Sequence, residues 1–333
     1  MIIIDAYTIF LKGLIGVIFA VDITSWIIYL VLIIFLLKCR IRGDQLVSKE
    51  FYTLCIFNGI LDIIFVVEEY INFRIPQFGI FEDLYLKRLP GTFFAGACYT
   101  YSLCQVSIIS LSGITITFNR FYAIKYPTKY KHFWSGWKLC LLTVWPVFIV
   151  IPIFIGFCDA DVNYIVDEER GRFIQNFTDE TTNDTIWSIT LYIHIFSMIL
   201  NAILNVFIII TTRSKHKLPK STNKELRIDI TMSKFTLIYF FSFGFVVILE
   251  IILFFAFKYK KKEISFNCLT FYILAQTIMV FFSPYTLLFL SKELRSKFFQ
   301  FCGLTKCFSN INIPFTNSTT SKRVVPLQPK NQS

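Results

Sequence analysis

Apolar residues along this chain gather into seven long runs, separated by short polar segments that are mostly basic. The runs predict spans at Leu14–Leu37, Phe51–Ile71, Thr92–Phe118, Leu139–Phe157, Trp187–Thr211, Phe235–Phe257 and Asn267–Leu290. About 18 or more predominantly apolar residues suffice to cross the hydrocarbon core. Lipid offers backbone groups no partners, so such runs form helices. The third, fourth, fifth and seventh carry no formal charge, while the first, second and sixth hold the interior carboxylates Asp22, Asp62 and Glu250. The predicted fold is an all-α membrane protein, a seven-transmembrane helix bundle over residues 14–290. A short extracellular N-terminus (1–13) precedes it, and an interfacial helix (291–302) and a flexible cytoplasmic tail (303–333) follow.

Composition agrees with the pattern. The chain is 55% hydrophobic and only 17% charged, against about 25% charge in a soluble domain. The net charge of +11 would suggest nucleic acid on a soluble protein. Here it sets orientation instead. With the N-terminus outside, 23 of the 33 Lys and Arg residues fall in cytoplasmic loops and the tail. The positive-inside tendency therefore selects N-out, C-in. The run Lys258-Tyr-Lys-Lys-Lys262 is the exception, on the outer side. Residues 158–186 carry eight acids and two arginines, together with the acceptor triplets at Asn176 and Asn183, both glycosylation candidates in an extracellular loop. A third triplet, at Asn317, falls in the tail. No cleavable signal peptide is expected, because the first residues lack a basic region and a small-residue cleavage site. No internal repeat is visible.

Nine cysteines show no paired metal spacing. Cys98 and Cys158 fall near the outer ends of spans three and four and are candidates for an extracellular disulfide, with Cys268 competing for the same partner. The three histidines, His132, His194 and His216, are scattered and form no metal set. Neither a cofactor nor an enzymatic activity is expected.

Several polar residues lie inside the apolar runs. Asp62 sits near the middle of the second, with Asn58 one turn earlier on the same face. Glu68 and Glu69 close that helix, where snorkelling to the interface would explain them. Thr190, His194, Ser197, Asn201 and Asn205 project from one face of the fifth span, which must point into the bundle. Asp22, Gln105, His194 and Glu250 are candidates for a ligand pocket among the outer halves. Beyond the seventh span, Leu294, Phe298 and Phe301 form one apolar face of a short interfacial helix, unless the segment is only a basic stop-transfer flank. Cys302 and Cys307 are palmitoylation candidates there.

The inner end of the third span reads Asn119-Arg120-Phe121-Tyr-Ala-Ile-Lys-Tyr-Pro127-Thr-Lys-Tyr130. It resembles the Asp-Arg-Tyr region of rhodopsin-like receptors, with Asn in place of the acid. Ser283-Pro284-Tyr285 is similar to their Asn-Pro-x-x-Tyr region, with Ser for Asn and Leu287 at the tyrosine place. The Cys-Trp-x-Pro pattern of span six is missing. These departures, with Phe133-Trp134 following Tyr130 in the second loop, make the chain most similar to nematode serpentine chemoreceptors, within class V of the group that includes classes G, X, T and U.

The resemblance implies a rhodopsin-like architecture and a chemosensory role in the plasma membrane of sensory cilia. It implies an external small molecule or pheromone as ligand and a heterotrimeric G protein as cytoplasmic partner. Asn119, Arg120, Phe121, Pro127 and Tyr130 would serve coupling. Asn58, Asp62, Ser283, Pro284 and Tyr285 would form an interior polar switch, at which such receptors bind sodium; hydrogen-bonded packing is the other reading of Asp62. A seven-helix ligand-gated channel or a small-solute transporter remain rivals, and homo- or hetero-oligomers stay open.

Overall fold

The structure, a computed structural model, describes residues 2–43, 49–167, 171–216 and 223–304. Seven helices are long and apolar enough to cross a membrane. They are α1 (Ile2–Arg42), α2 (Lys49–Glu69), α4 (Phe93–Lys125), α6 (Gly136–Phe157), α7 (Glu180–His216), α8 (Asn223–Lys258) and α9 (Lys262–Leu290). Short helices α3 (Ile75–Phe78), α5 (Pro127–Phe133) and α10 (Lys292–Phe301) join or follow them. The protein is a multi-pass helical membrane protein with the expected seven crossings.

Boundaries differ from the apolar runs where a local signal overrides hydropathy. Helix α1 starts at Ile2, so most of the segment expected as a separate extracellular N-terminus is helical. No proline interrupts it. Pro127 ends α4 and begins α5, in the first-turn position where its missing N–H costs nothing. Ser291 caps α10 by accepting from the Leu294 N–H at 3.3 Å, and Leu294 and Phe298 are buried beneath it while Phe301 stays largely exposed. A helix therefore forms over the expected segment. Cys302 is half-buried at its end; Cys307, Asn317 and the tail from 305 onward lie outside the described residues.

A two-stranded antiparallel hairpin was not foreseen. Strands β1 (Val162–Asp167) and β2 (Arg172–Phe177) pair from Val162–Phe177 to Asp167–Arg172 between spans four and five. It lies against the outer end of the bundle. Gln175 donates to the Ala95 carbonyl at 3.4 Å, and the Tyr99 and Phe177 rings meet at 4.8 Å. Arg172 is buried, donating to Asp167 at 3.0 Å and to Thr270 at 3.4 Å. Gly79 adopts φ +68°, and a Cβ there would meet the Gly171 carbonyl oxygen at 2.0 Å. Only glycine meets both demands.

After α2 the chain widens into a π-helical turn, Tyr70–Arg74. Its five-residue period carries Arg74 round to Glu69, which an α-helical spacing would not. Arg74 donates from Nε to Glu69 at 2.9 Å and from Nη2 to Thr277 on α9 at 3.0 Å. It also forms an ion pair with Asp22 on α1. Tyr70 donates to the same Asp22 carboxylate at 2.7 Å. All three charged groups are almost fully buried. The first, second and seventh spans are thus tied by one guanidinium. Glu69 does not snorkel as expected, because Arg74 turns back into the bundle to meet it. Glu68 is buried too, hydrogen-bonded to Asn72 and to Ser102 on α4.

Removing one partner of a buried ion cluster typically costs about 3–5 kcal/mol, because the remaining charge is stranded. Arg74→Met should lower thermal stability of the detergent-purified protein by that order. Replacing the whole set (Asp22→Asn, Glu69→Gln, Arg74→Met) should recover most of the loss. A single substitution with no effect on the melting curve would contradict the clustering.

Candidate functional site

The inner site is built on the last turns of α4. Arg120 is 7% exposed and Asn119 fully buried, so the dipeptide expected at a cytosolic surface is covered. Helix α5 does the covering. Tyr130 is buried and accepts from Asn119 Nδ2 at 3.1 Å, while Arg120 Nη2 donates to Asn119 Oδ1 at 3.0 Å. The guanidinium lies 3.9 Å from the centre of the Phe51 ring on α2. The arginine thus has an aromatic face among its contacts. Phe51 continues the contact to Phe235 on α8, ring centres 6.4 Å apart, and Phe235 to Phe282 on α9 at 5.4 Å. Phe121 is half-buried and meets Phe207 of α7 at 5.9 Å. The expected residues Asn119, Arg120 and Tyr130 therefore form one cluster, with Pro127 starting the helix that closes it. The pattern Asn-Arg-Phe gave no hint of Phe51.

In the middle of the bundle Tyr29 donates to Asp62 at 2.6 Å. Ser283 approaches the same phenol, so Asp62 and Ser283 share a locale with a tyrosine of α1 that the motifs did not indicate. Asn58 is half-buried one turn below. Pro284 is buried within a continuous α9. Tyr285 corrects the expectation of an interior switch: its ring is 43% exposed on the outer face of the bundle, and only its hydroxyl turns in, 2.8 Å from Ser25.

The polar stripe on α7 faces the interior throughout. Thr117 donates to Asn201 at 2.7 Å and Thr236 to Asn205 at 2.9 Å, joining α7 to α4 and to α8. His194 and Glu250, expected separately as pocket residues, are hydrogen-bonded to each other across α7 and α8, and both are fully buried. His194 Nε2 and Glu250 Oε1 are also buried without a partner in the protein. Gln105 donates to the Leu61 carbonyl at 3.0 Å and leaves Oε1 without one. Asp22 belongs to the Arg74 cluster. Arg74 escaped the sequence reading because it lies past the predicted end of span two.

At the outer mouth, a cavity of about 210 Å³ opens between the hairpin and the ends of α7, α8 and α9. Ile165, Ile174, Phe257 and Phe266 supply its apolar wall, and Asn176 and Asn183 its polar side. Both asparagines have a buried Oδ1 without a partner. Asn183 is only 5% exposed, so the folded chain leaves no room for a glycan there, contrary to expectation; it sits within the first turns of α7, packed under the hairpin. Asn176 is half-buried in β2. Lys260 bridges the rim to Glu180 at 2.6 Å, and that hydrogen bond and charge hold the Lys260 ammonium above its ordinary range.

The expected Cys98–Cys158 bridge is not formed. Both thiols are free, and Cys158 turns back to the Ile155 carbonyl of its own helix. Helix α4 meets the chain just past the end of α6 at Gly96, where a Cβ would stand 2.4 Å from the Ala160 carbonyl oxygen. Cys268 is also free and buried. Among the described residues no group of His, Cys, Asp and Glu could hold a metal ion.

Seven crossings, an arginine covered at the inner end of the third and a cavity under an extracellular hairpin define a seven-helix membrane receptor. Residues 18–304 match the family described as serpentine type 7TM GPCR chemoreceptor Srv, and the chain belongs to that family. Over 138 residues it is 25% identical to Serpentine receptor class V-1 of Caenorhabditis elegans, a match covering 38% of this chain and 40% of that relative. The family is one of receptors, not enzymes.

Interhelical hydrogen bonds in membranes average only about 0.6 kcal/mol, with maxima near 1.7. A buried His–Glu contact should lie at the top of that range. A double-mutant cycle with His194→Ala and Glu250→Gln, read by thermal unfolding, is expected to return a coupling above about 1 kcal/mol. Strict additivity would rule the pair out as an energetic unit.

Proposed function

We propose that this receptor detects an external small molecule and activates a heterotrimeric G protein, in the plasma membrane of sensory cilia. The observation that carries the reading is the covered Arg120. An arginine withdrawn under α5 and laid on Phe51 is a resting arrangement, and its release would create a cationic cleft among the second loop, α7 and α8. A Gα C-terminal helix would dock there as a helix in a groove. Family membership supports the chemosensory role.

The ligand enters under the hairpin. The cavity lined by Asn176, Asn183, Phe257 and Phe266 is open to the outside and holds two acceptors in need of donors. Glu250 lies seven residues below Phe257 on α8, about 10 Å along the axis. Glu250, His194 and Gln105 form the deeper layer, each with a buried polar atom that a ligand could pair. A ligand drawn to that layer would compete for the His194–Glu250 contact and so shift α7 against α8. By linkage, ligand and G protein then strengthen each other's binding. Asp22 serves the scaffold through Arg74.

Arg120→Ala should abolish ligand-stimulated nucleotide exchange, measured with membranes and a purified G protein, while surface expression persists. Phe51→Ala should do the reverse and raise basal exchange. An exposed-to-desolvated cation–π contact is worth about 0.5–2 kcal/mol, so the rise should be about 2- to 30-fold. Asn119→Asp should lower basal exchange by adding a carboxylate beside the guanidinium. Normal exchange in Arg120→Ala would defeat the scheme.

A further inference from the structure

The basic run Lys258–Lys262 is the exception to the charge asymmetry that orients the chain, and it lies at the rim of the cavity under the hairpin. Helix α8 ends at Lys258 and α9 begins at Lys262, so the run is the turn between them. Its backbone closes α8 with a left-handed cap. The Lys260 N–H donates to the Phe257 carbonyl at 3.0 Å, and the Lys261 N–H to the Ala256 carbonyl at 2.8 Å. Lys260 has φ +52°, a conformation for which such a cap usually takes glycine. The side chain that glycine would lack spans the rim and meets Glu180, at the start of α7, at 2.6 Å.

Charge at the rim divides unequally. Three cations line the cavity, Lys258, Lys260 and Lys262, against two acids, Glu180 and Asp184. Both acids act on Lys260, Glu180 through its hydrogen bond and charge and Asp184 through charge alone. Lys258 and Lys262 are exposed, and among the described residues neither forms an ion pair. The Lys258 ammonium stands 5.9 Å from the centre of the Phe254 ring, a contact with a ring face that leaves its N–H donors for an oxygen. No side chain caps the first turn of α9, whose free N–H groups favour negative charge. Below the rim, the half-buried Ile165 of β1 and Phe257 of α8 offer apolar surface. Asn176 of β2 holds an unpartnered carbonyl oxygen there, which repels a carboxylate and keeps the charged end of a guest at the lysines. The volume of about 210 Å³ falls below the roughly 300–1,000 Å³ of pockets for drug-sized ligands, so the apolar body must be short. Resting on the reading of this cavity as the ligand's entrance, we propose that the ligand is a small organic anion, a monocarboxylate with a short apolar body. Its carboxylate lies between Lys258 and Lys262, and its body rests on Ile165 and Phe257.

Direct binding tests the assignment without a G protein. The full chain would be reconstituted in phosphatidylcholine nanodiscs, with 4-fluorobenzoate as the reporter and its fluorine NMR line width as the readout. The line should broaden on binding, and hexanoate should displace the reporter. Hexanamide, which has the same shape without the charge, should displace it about tenfold more weakly, the order expected for losing a hydrogen bond to a charged group. Hexylamine should not displace it. Lys258→Gln with Lys262→Gln should weaken hexanoate about tenfold. Lys258→Arg with Lys262→Arg keeps both charges and should retain binding, which separates lost binding from lost folding. Lys261→Gln, in the same turn but outside the cavity lining, should leave it unchanged. Ile165→Trp fills the apolar part and should abolish binding. Equal displacement by hexanoate and hexanamide, or full affinity in the double Gln variant, would overturn the anion while leaving the cavity as the entrance. Undiminished hexanoate binding in Ile165→Trp would overturn the cavity itself, and an unbroadened reporter would overturn the proposal outright.

Discussion

A guanidinium in the membrane-spanning bundle must be paired, and this fold is arranged around that requirement. Arg74 is buried with Asp22 on one side and Glu69 on the other. An isolated charge at such a place costs several kcal/mol, so the three side chains can be inside only together. Meeting that condition needs a widened turn at Tyr70–Arg74, a first helix that places Asp22 at the right height, and Thr277 of α9 as a further acceptor. Tyr70 donates to Asp22 and offsets part of the second carboxylate's demand. The first, second and seventh spans are thus fixed to one another by one side chain. The same turn leads to Gly79, whose backbone accommodates Gly171 of the hairpin. The pairing of one buried charge thus also sets where the extracellular cap lies.

How much of this was written in the chain depends on the range of the interaction. The seven crossings were legible because hydropathy alone decides them, and the α7 stripe was legible because helical period puts Thr190, His194, Ser197, Asn201 and Asn205 on one side. The interfacial helix announced itself through Ser291, Leu294 and Phe298. Pairings between helices were not legible. His194 and Glu250 were each visible as polar residues in apolar runs, yet nothing local says that they touch across 56 positions. Arg74 looked like a loop residue because its partner stands five residues back, a spacing that only a π turn brings together. The hairpin failed for a different reason. Its strands alternate weakly and lie in an acidic loop, so composition masked the β pattern. The disulfide expectation rested on height in the membrane alone, and height does not fix direction: Cys158 points along its own helix.

Helix α4 supplies the axis on which both ends of the molecule depend. It is the most buried of the spans, with 89% of its apolar window inside, and it is bonded to neighbours at nearly every level. Ser102 meets Glu68 of α2, Gln105 the Leu61 carbonyl, Ser110 approaches Ser197 of α7, and Trp145 of α6 donates to Thr115 at 2.7 Å. Gly113 permits the Tyr239 ring of α8 to lie against its backbone. A helix so held cannot shift far without breaking many directional contacts at once. Any rearrangement of the bundle must therefore fall on its neighbours.

The contacts of α8 show where. In its outer half α8 is joined to α7 through His194–Glu250, and near its inner end through Thr236–Asn205. At that same inner end Phe235 makes ring contacts to α2 and α9, on Phe51 and on Phe282. Hydrogen bonds in a low-dielectric interior are directional and costly to leave unmade, whereas ring contacts are soft in angle and trade partners cheaply. Helices α7 and α8 are thus firmly joined to each other, and the ring contacts of Phe235 form the softer seam against α2 and α9. Because Arg120 lies against the Phe51 ring, a displacement of Phe235 would alter the support of Phe51 and with it one of the contacts of the arginine. The substitution of Asn for an acid at position 119 is consistent with such a device. A carboxylate at that position would add an ionic partner beside Arg120, while the amide pairs with it through a hydrogen bond to a neutral oxygen.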